Sequence, residues 1–77
     1  MIARFHADAE AEILEARAWY AERSEIAARA FATEVAWAVR EIGNAPERWK
    51  RYDYGTRRFM LPNFPFSIVY RVHQDAV

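Results

Sequence analysis

The order of periodicities along these 77 residues predicts an α+β domain: a short N-terminal strand, an antiparallel α-hairpin, then antiparallel strands forming a small sheet. Three observations lead there. Two segments of the first half repeat their apolar residues at helical spacing, with only one or two residues between them. The last third alternates with the two-residue period of a strand. A short strand-like stretch stands ahead of the first helix.

The opening strand is read over Ile2 to His6, five residues with weak alternation. Asp8 stands where an N-cap belongs, and Glu10 and Glu12 in the first turn suit the positive end of a helix. Ala9, Ile13, Ala16 and Tyr20 recur at helical spacing, widened by Leu14, Ala18 and Ala21, so the first helix is expected from Ala9 to Glu22. Ser24 is a second cap. Ala27, Phe31, Val35, Ala38 and Ile42 then mark one face of a second helix over five turns. Gly43 reads as the left-handed residue after its end, and Pro46 blocks continuation. Two helices joined around Arg23-Ser24 fold back as an antiparallel pair. Alanines such as Ala16, Ala27, Ala30 and Ala38 let the two backbones approach closely.

Pro46 to Thr56 is read as a connector in which Trp49, Tyr52 and Tyr54 interleave with Arg48, Lys50 and Arg51. After Gly55, Arg57, Phe59 and Leu61 share one strand face and Arg58 and Met60 the other. Pro62-Asn63 is turn chemistry. Phe64 to Val72 is the strongest strand signal, with Phe66, Ile68, Tyr70 and Val72 on one side and Ser67, Val69 and Arg71 opposite. Asp75 reads as a turn residue and Ala76-Val77 as the opening of another strand. The whole of 1–77 reads as one domain, without repeats or low-complexity tracts.

Composition supports folding. The chain is 53% hydrophobic with two glycines and three prolines, the opposite of a disordered balance. A domain this size buries only about 60% of its unfolded surface, and with no cysteine it has no disulfide or thiolate site to compensate. The N-terminal residues lack the apolar run of a signal peptide, and no stretch approaches the roughly 20 apolar residues of a membrane helix, so a soluble cytoplasmic protein is expected. Net charge is zero but divided: residues 1–45 hold five arginines against eight acids, and residues 46–77 hold six Lys and Arg against three acids. That disfavours a uniformly basic nucleic-acid binder and points to a basic C-terminal half meeting an acidic partner or a phosphate.

Taken together the residues resemble a family. Phe5-His6-Ala7-Asp8-Ala9-Glu10-Ala11-Glu12, with Glu15-Ala16 and Trp19-Tyr20, is similar to the first helix of RelE/ParE-type toxins. Phe31, Glu34, Ala38, Ile42 and Pro46 resemble the second helix and its exit. Gly55-Thr56-Arg57-Arg58-Phe59-Met60-Leu61 leading into Phe64-Pro65-Phe66-Ser67-Ile68-Val69-Tyr70-Arg71-Val72 resembles the signature of the ParE-like plasmid-stabilisation branch. The resemblance covers about Arg4 to Val72, and the chain then stops where that family's C-terminal strand would follow. It implies the toxin half of a bacterial type II toxin–antitoxin pair, neutralised by a partly disordered antitoxin, as a homodimer or a heterotetramer with it. The ParE branch poisons DNA gyrase, whereas the RelE branch cleaves messenger RNA on the ribosome. Loss of the last strand is expected to leave Phe66 to Val72 with an unpaired flank, a route to association and the basis of a third reading, a truncated non-toxic member that still binds an antitoxin.

The candidate residues follow from that choice. RNA cleavage needs a group to help deprotonate a ribose hydroxyl and cations to stabilise the phosphorane-like transition state. Where the resemblance implies an arginine in the ribonuclease branch, this chain has Ser67, which supplies no cation. A protein-binding toxin is therefore expected rather than an enzyme, with no catalytic residue assigned. Arg57, Arg58, Arg71 and His73 are the candidates for contact with target or antitoxin. The structural alternative for the arginine pair is one stem covering the sheet and one ion pair to a helix carboxylate, and for Arg71 a solvated strand face. His6 reads as a local hydrogen-bonding group at a strand–helix junction. No His, Asp and Glu cluster has ligand spacing, and no cofactor motif is present, so neither metal nor cofactor is expected. Trp49, Tyr52 and Tyr54 are expected to pin the connector to the core, with base stacking as the alternative. Trp19, Tyr20, Phe31 and Trp37 are expected in core or hairpin packing.

Overall fold

The computed structural model describes residues 2–5 and 7–73. His6, and with it the junction reading, lies outside the described residues, as do Asp75 and the Ala76-Val77 strand opening. The element order is β1 (Ile2–Phe5), α1 (Ala7–Arg23), α2 (Glu25–Asn44), β2 (Lys50–Arg51), a 3-10 turn at Asp53–Gly55, β3 (Arg57–Met60) and β4 (Ser67–His73). The architecture is the expected one: an antiparallel helical hairpin on one face of a four-stranded antiparallel sheet, here ordered β1-β4-β3-β2.

The hairpin turns on one residue. Ser24 is extended, and its hydroxyl accepts from the Ala27 amide at 3.2 Å, which satisfies one of the donors a helix start leaves open. Asp8 differs from expectation. α1 begins at Ala7, so Asp8 lies inside the first turn instead of capping it. Gly43 also differs: α2 runs through it to Asn44, and the end is made by Ala45, whose amide still reaches the Glu41 carbonyl at 3.2 Å. Pro46, with no amide to give, follows at once.

α2 is the spine of the core. Its buried stripe is Ala28, Phe31, Val35, Ala38 and Ile42, so the first contact is Ala28 where Ala27 was expected. Against it pack Phe59, Leu61, Ile68 and Tyr70 of the sheet, with Phe66 and Val72 half-buried on the same side. Phe31 joins the layers: its ring lies 5.2 Å from Tyr20 of α1, 5.3 Å from Phe64 and 5.3 Å from Phe66. The turn after β3 is closed by the Leu61 amide on the Phe66 carbonyl at 3.0 Å. Glu34 of α2 holds that turn, accepting from the Asn63 amide at 3.2 Å and from its Nδ2 at 2.6 Å.

The flank of β4 is corrected. β1 pairs with it from Ile2↔His73 to Phe5↔Tyr70, and β3 pairs with it from Arg57↔Tyr70 to Met60↔Ser67. β4 is thus flanked on that side from Tyr70 to His73, while Ser67–Val69 have no β1 partner among the described pairings, so the expected open flank is confined to the first half of the strand.

The connector is pinned by one aromatic of the three. Trp49 packs on Phe59 at 4.4 Å, while Tyr52 is 44% and Tyr54 89% exposed. Trp19 and Trp37 are likewise half in solvent, at 51% and 38%, so of the four helical aromatics Phe31 is buried and Tyr20 half-buried.

Candidate functional site

Register decides which side of the sheet each cation takes. Directly paired residues of antiparallel strands point the same way, and neighbours along a strand point opposite ways. Phe59, Ile68 and Tyr70 face the helices, so Arg58, Val69 and Arg71 face away. Arg4 is paired with Arg71, and Lys50 with Arg58, which brings both to the same outer face. His73, two residues beyond Arg71, completes the set. The four strands contain no aspartate or glutamate, although Met60, Ser67 and Val69 on this face are neutral and Asp53 lies exposed in the turn before β3.

Arg57 parts company with the other three candidates. It pairs with buried Tyr70 and faces inward. Its Nη1 donates to the Glu47 carbonyl at 3.0 Å and the Trp49 carbonyl at 2.8 Å, fastening the connector to the sheet. Neither arginine of the pair makes the expected ion pair to a helix carboxylate among the described interactions. Arg58 instead lies over the Tyr52 ring, 4.8 Å from its centroid.

Arg71 holds the adjoining turn, donating from Nη1 to the Tyr54 carbonyl at 2.8 Å. That turn is tight. The Tyr52 amide meets the Thr56 carbonyl at 2.9 Å, and Gly55 takes a φ of 73°, where glycine has no steric penalty. Tyr54 takes a φ of 56° with a full side chain, a conformation that costs about 1–2 kcal/mol. Beside the turn a shallow hollow of about 360 Å³ opens, its lining including Arg4, Thr56, Val69, Arg71 and His73.

Tyr70 anchors the opposite side of the same strand. Its hydroxyl donates to the Pro46 carbonyl at 2.7 Å. Burial pushes its phenol above the usual tyrosine value, and the Arg57 charge pulls more weakly the other way.

A second feature runs between α1 and the first half of β4. Two adjoining hollows, of about 290 and 330 Å³, share Glu12 and Phe66; their walls add Asp8, Ile13 and Ser67 at one end and Glu15 and Trp19 at the other. The trough has an apolar floor and an acidic rim. Beyond it the helices leave large apolar side chains in solvent, Leu14 at 67% and Ile26 at 80% exposure. Ser67 borders this trough, but it pairs with Met60 and so shares the outward side of β4 with Val69 and Arg71. Among the described residues no group of three or more His, Asp or Glu side chains could hold a metal ion, and no helix is long and apolar enough to cross a membrane.

Of the four candidates singled out in the sequence, the register brings Arg58, Arg71 and His73 to one face, together with Arg4 and Lys50, which were not singled out as contact residues. Arg4 occupies an alternate position of the opening strand, a signal that was legible; Lys50 belongs to a strand too short to show a period. The structure thus gathers Arg58, Arg71 and His73 with Arg4 and Lys50 and sets Arg57 apart.

Comparison with known proteins gives one result. The family model described as the ParE toxin of the type II toxin–antitoxin system parDE matches residues 3–77. No curated protein and no solved structure gives a match.

Proposed function

The chain belongs to the ParE toxin family of type II toxin–antitoxin systems, and from that premise we propose that it is a cytoplasmic, ParE-like toxin that binds DNA gyrase. The family implies an antitoxin partner. We place that antitoxin on the helical layer, where it would cover the trough between α1 and β4 and the exposed Leu14, Trp19 and Ile26. Patches of this kind, apolar and rimmed by charge, mark protein contact surfaces. The outer sheet face, with Arg58, Arg71 and His73, is then left for the target.

The observation that carries protein binding over RNA cleavage is Ser67. The resemblance puts an arginine at this position in the ribonuclease branch, and this chain offers a neutral hydroxyl on the outward side of β4 instead.

Purified protein is expected to block supercoiling by gyrase, and induction without the antitoxin to arrest growth. Normal supercoiling at a large molar excess of the protein contradicts the reading. Fresh transcript ends within translated codons after induction would favour a RelE-like nuclease instead. Harmless induction, with a neighbouring antitoxin still co-purifying, would favour a non-toxic binding member.

A further inference from the structure

We propose that the outer face of the sheet, the same face the gyrase reading leaves for the target, binds the phosphates of a single-stranded nucleic acid. Four strands contribute to it: Arg4 from β1, Lys50 from β2, Arg58 from β3 and Arg71 from β4, with His73 at the end of β4. None of these strands carries an acid. The acids concentrate on the other layer, in α1 and α2, where Asp8, Glu10, Glu12, Glu15, Glu22, Glu25, Glu34 and Glu41 outnumber the arginines. A polyanion is therefore drawn to one side of the molecule and repelled from the other.

Charge alone would suit an acidic peptide equally well. The aromatics decide between them. Tyr54 is 89% exposed and Tyr52 44% exposed, and both flank the cations: Arg58 lies over the Tyr52 ring, and Arg71 is bonded to the Tyr54 carbonyl. Tyr54 is also held by its turn in a left-handed conformation that a bulky residue rarely adopts, and such strained residues cluster at binding sites. Flat rings beside a cationic track are stacking platforms for bases, which a polyglutamate chain has no means to use. Adjacent strands lie about 4.8 Å apart and alternate residues along a strand about 6.7 Å apart, so the guanidinium groups form a grid a flexible strand can follow. The hollow beside Arg4, Arg71 and His73, lined also by Phe5, Val69 and Tyr70, is the proposed seat of one phosphate.

The test is fluorescence anisotropy of the purified full chain with labelled twelve-residue oligothymidylate, oligouridylate, a duplex of equal length and a twelve-residue polyglutamate. Single strands are expected to bind at least ten-fold more tightly than polyglutamate. Their affinity should fall with log salt at a slope of about −2 to −3, the signature of three or four neutralised phosphates. Arg4→Gln/Arg58→Gln is expected to weaken binding at least ten-fold and flatten that slope by about 1.4. Tyr54→Ala should weaken it several-fold and leave the slope alone. Arg17→Gln/Arg29→Gln, two exposed helix positions, should change nothing. Circular dichroism establishes that each variant is folded. Polyglutamate binding as tightly as the oligonucleotides, a preference for the duplex, equal losses in the helix and sheet variants, or no binding at low salt would each overturn the proposal. Gyrase inhibition is read in a separate assay, so either idea can fail alone.

Discussion

The helical layer and the outer face of the sheet are opposites. The helices carry most of the acids and expose Leu14, Trp19 and Ile26; the outer sheet face carries Arg4, Lys50, Arg58 and Arg71, with no acid on any strand. Between them lies a core to which neither outer surface contributes. Phe31, Val35, Ala38 and Ile42 meet Phe59, Leu61, Ile68 and Tyr70 and exclude solvent almost completely. Stability is therefore concentrated in the middle of this small domain, and the two outsides are free to specialise. An exposed leucine or isoleucine on a helix does nothing for the fold, and an uncompensated row of cations works slightly against it. Both make sense as contact surfaces.

That division can be broken in graded ways. Phe31→Ala removes the ring shared by α1, α2 and the turn before β4, and is expected to cost about 3–5 kcal/mol in denaturant melts, unfolding both layers together. Arg57→Gln should cost about 1.5–3 kcal/mol through its two charge-assisted bonds to the connector. Its neighbour Arg58→Gln, one residue along and on the other face, should stay within about 0.5 kcal/mol. Equal costs for the two arginines would erase the distinction between inner and outer faces.

Tyr70 supplies a pH test. Burial raises its phenol, so the folded state holds that proton more tightly than the unfolded chain, where tyrosine titrates near about 10. The contribution is complete below that pH and is lost as pH rises through the folded value, so thermal stability should decline on the alkaline side. Tyr70→Phe should remove this part of the decline and cost about 1 kcal/mol at neutral pH, from the lost bond to the Pro46 carbonyl. The smallest effect is expected at Tyr54→Asn, a gain of up to about 1 kcal/mol, because asparagine tolerates the left-handed conformation better.

The parts of the fold that were legible are those written in local periodicity. The stripe through Phe31, Val35, Ala38 and Ile42, the Ser24 cap, and the alternation of Phe59, Ile68 and Tyr70 against Arg58 and Arg71 all depend on neighbours within a turn or a strand. What escaped depends on partners far along the chain. β1 covers the flank of the second half of β4, Tyr70 to His73, across some 65 residues of sequence, a pairing no local pattern records. β2 is two exposed residues, too short to alternate. Gly43 looked like a terminator because glycine favours left-handed ends, yet α2 stops a residue later, just before Pro46. Arg57 and Arg58 were correctly assigned to opposite faces. Which face meets the helices was also readable from Phe59; that Arg4 and Lys50 join Arg58 follows only from the pairing register.

The claim that the two outer surfaces have separate tasks is tested most directly by supercoiling inhibition measured with and without antitoxin, on two variants. Arg4→Gln/Arg58→Gln, on the sheet, should lose at least ten-fold in inhibition of gyrase while still binding antitoxin. Leu14→Glu/Trp19→Glu, on α1, should inhibit gyrase as the parent does and escape neutralisation. If the sheet variant inhibits undiminished, or if the helix variant is neutralised normally, the two surfaces do not divide the work in this way.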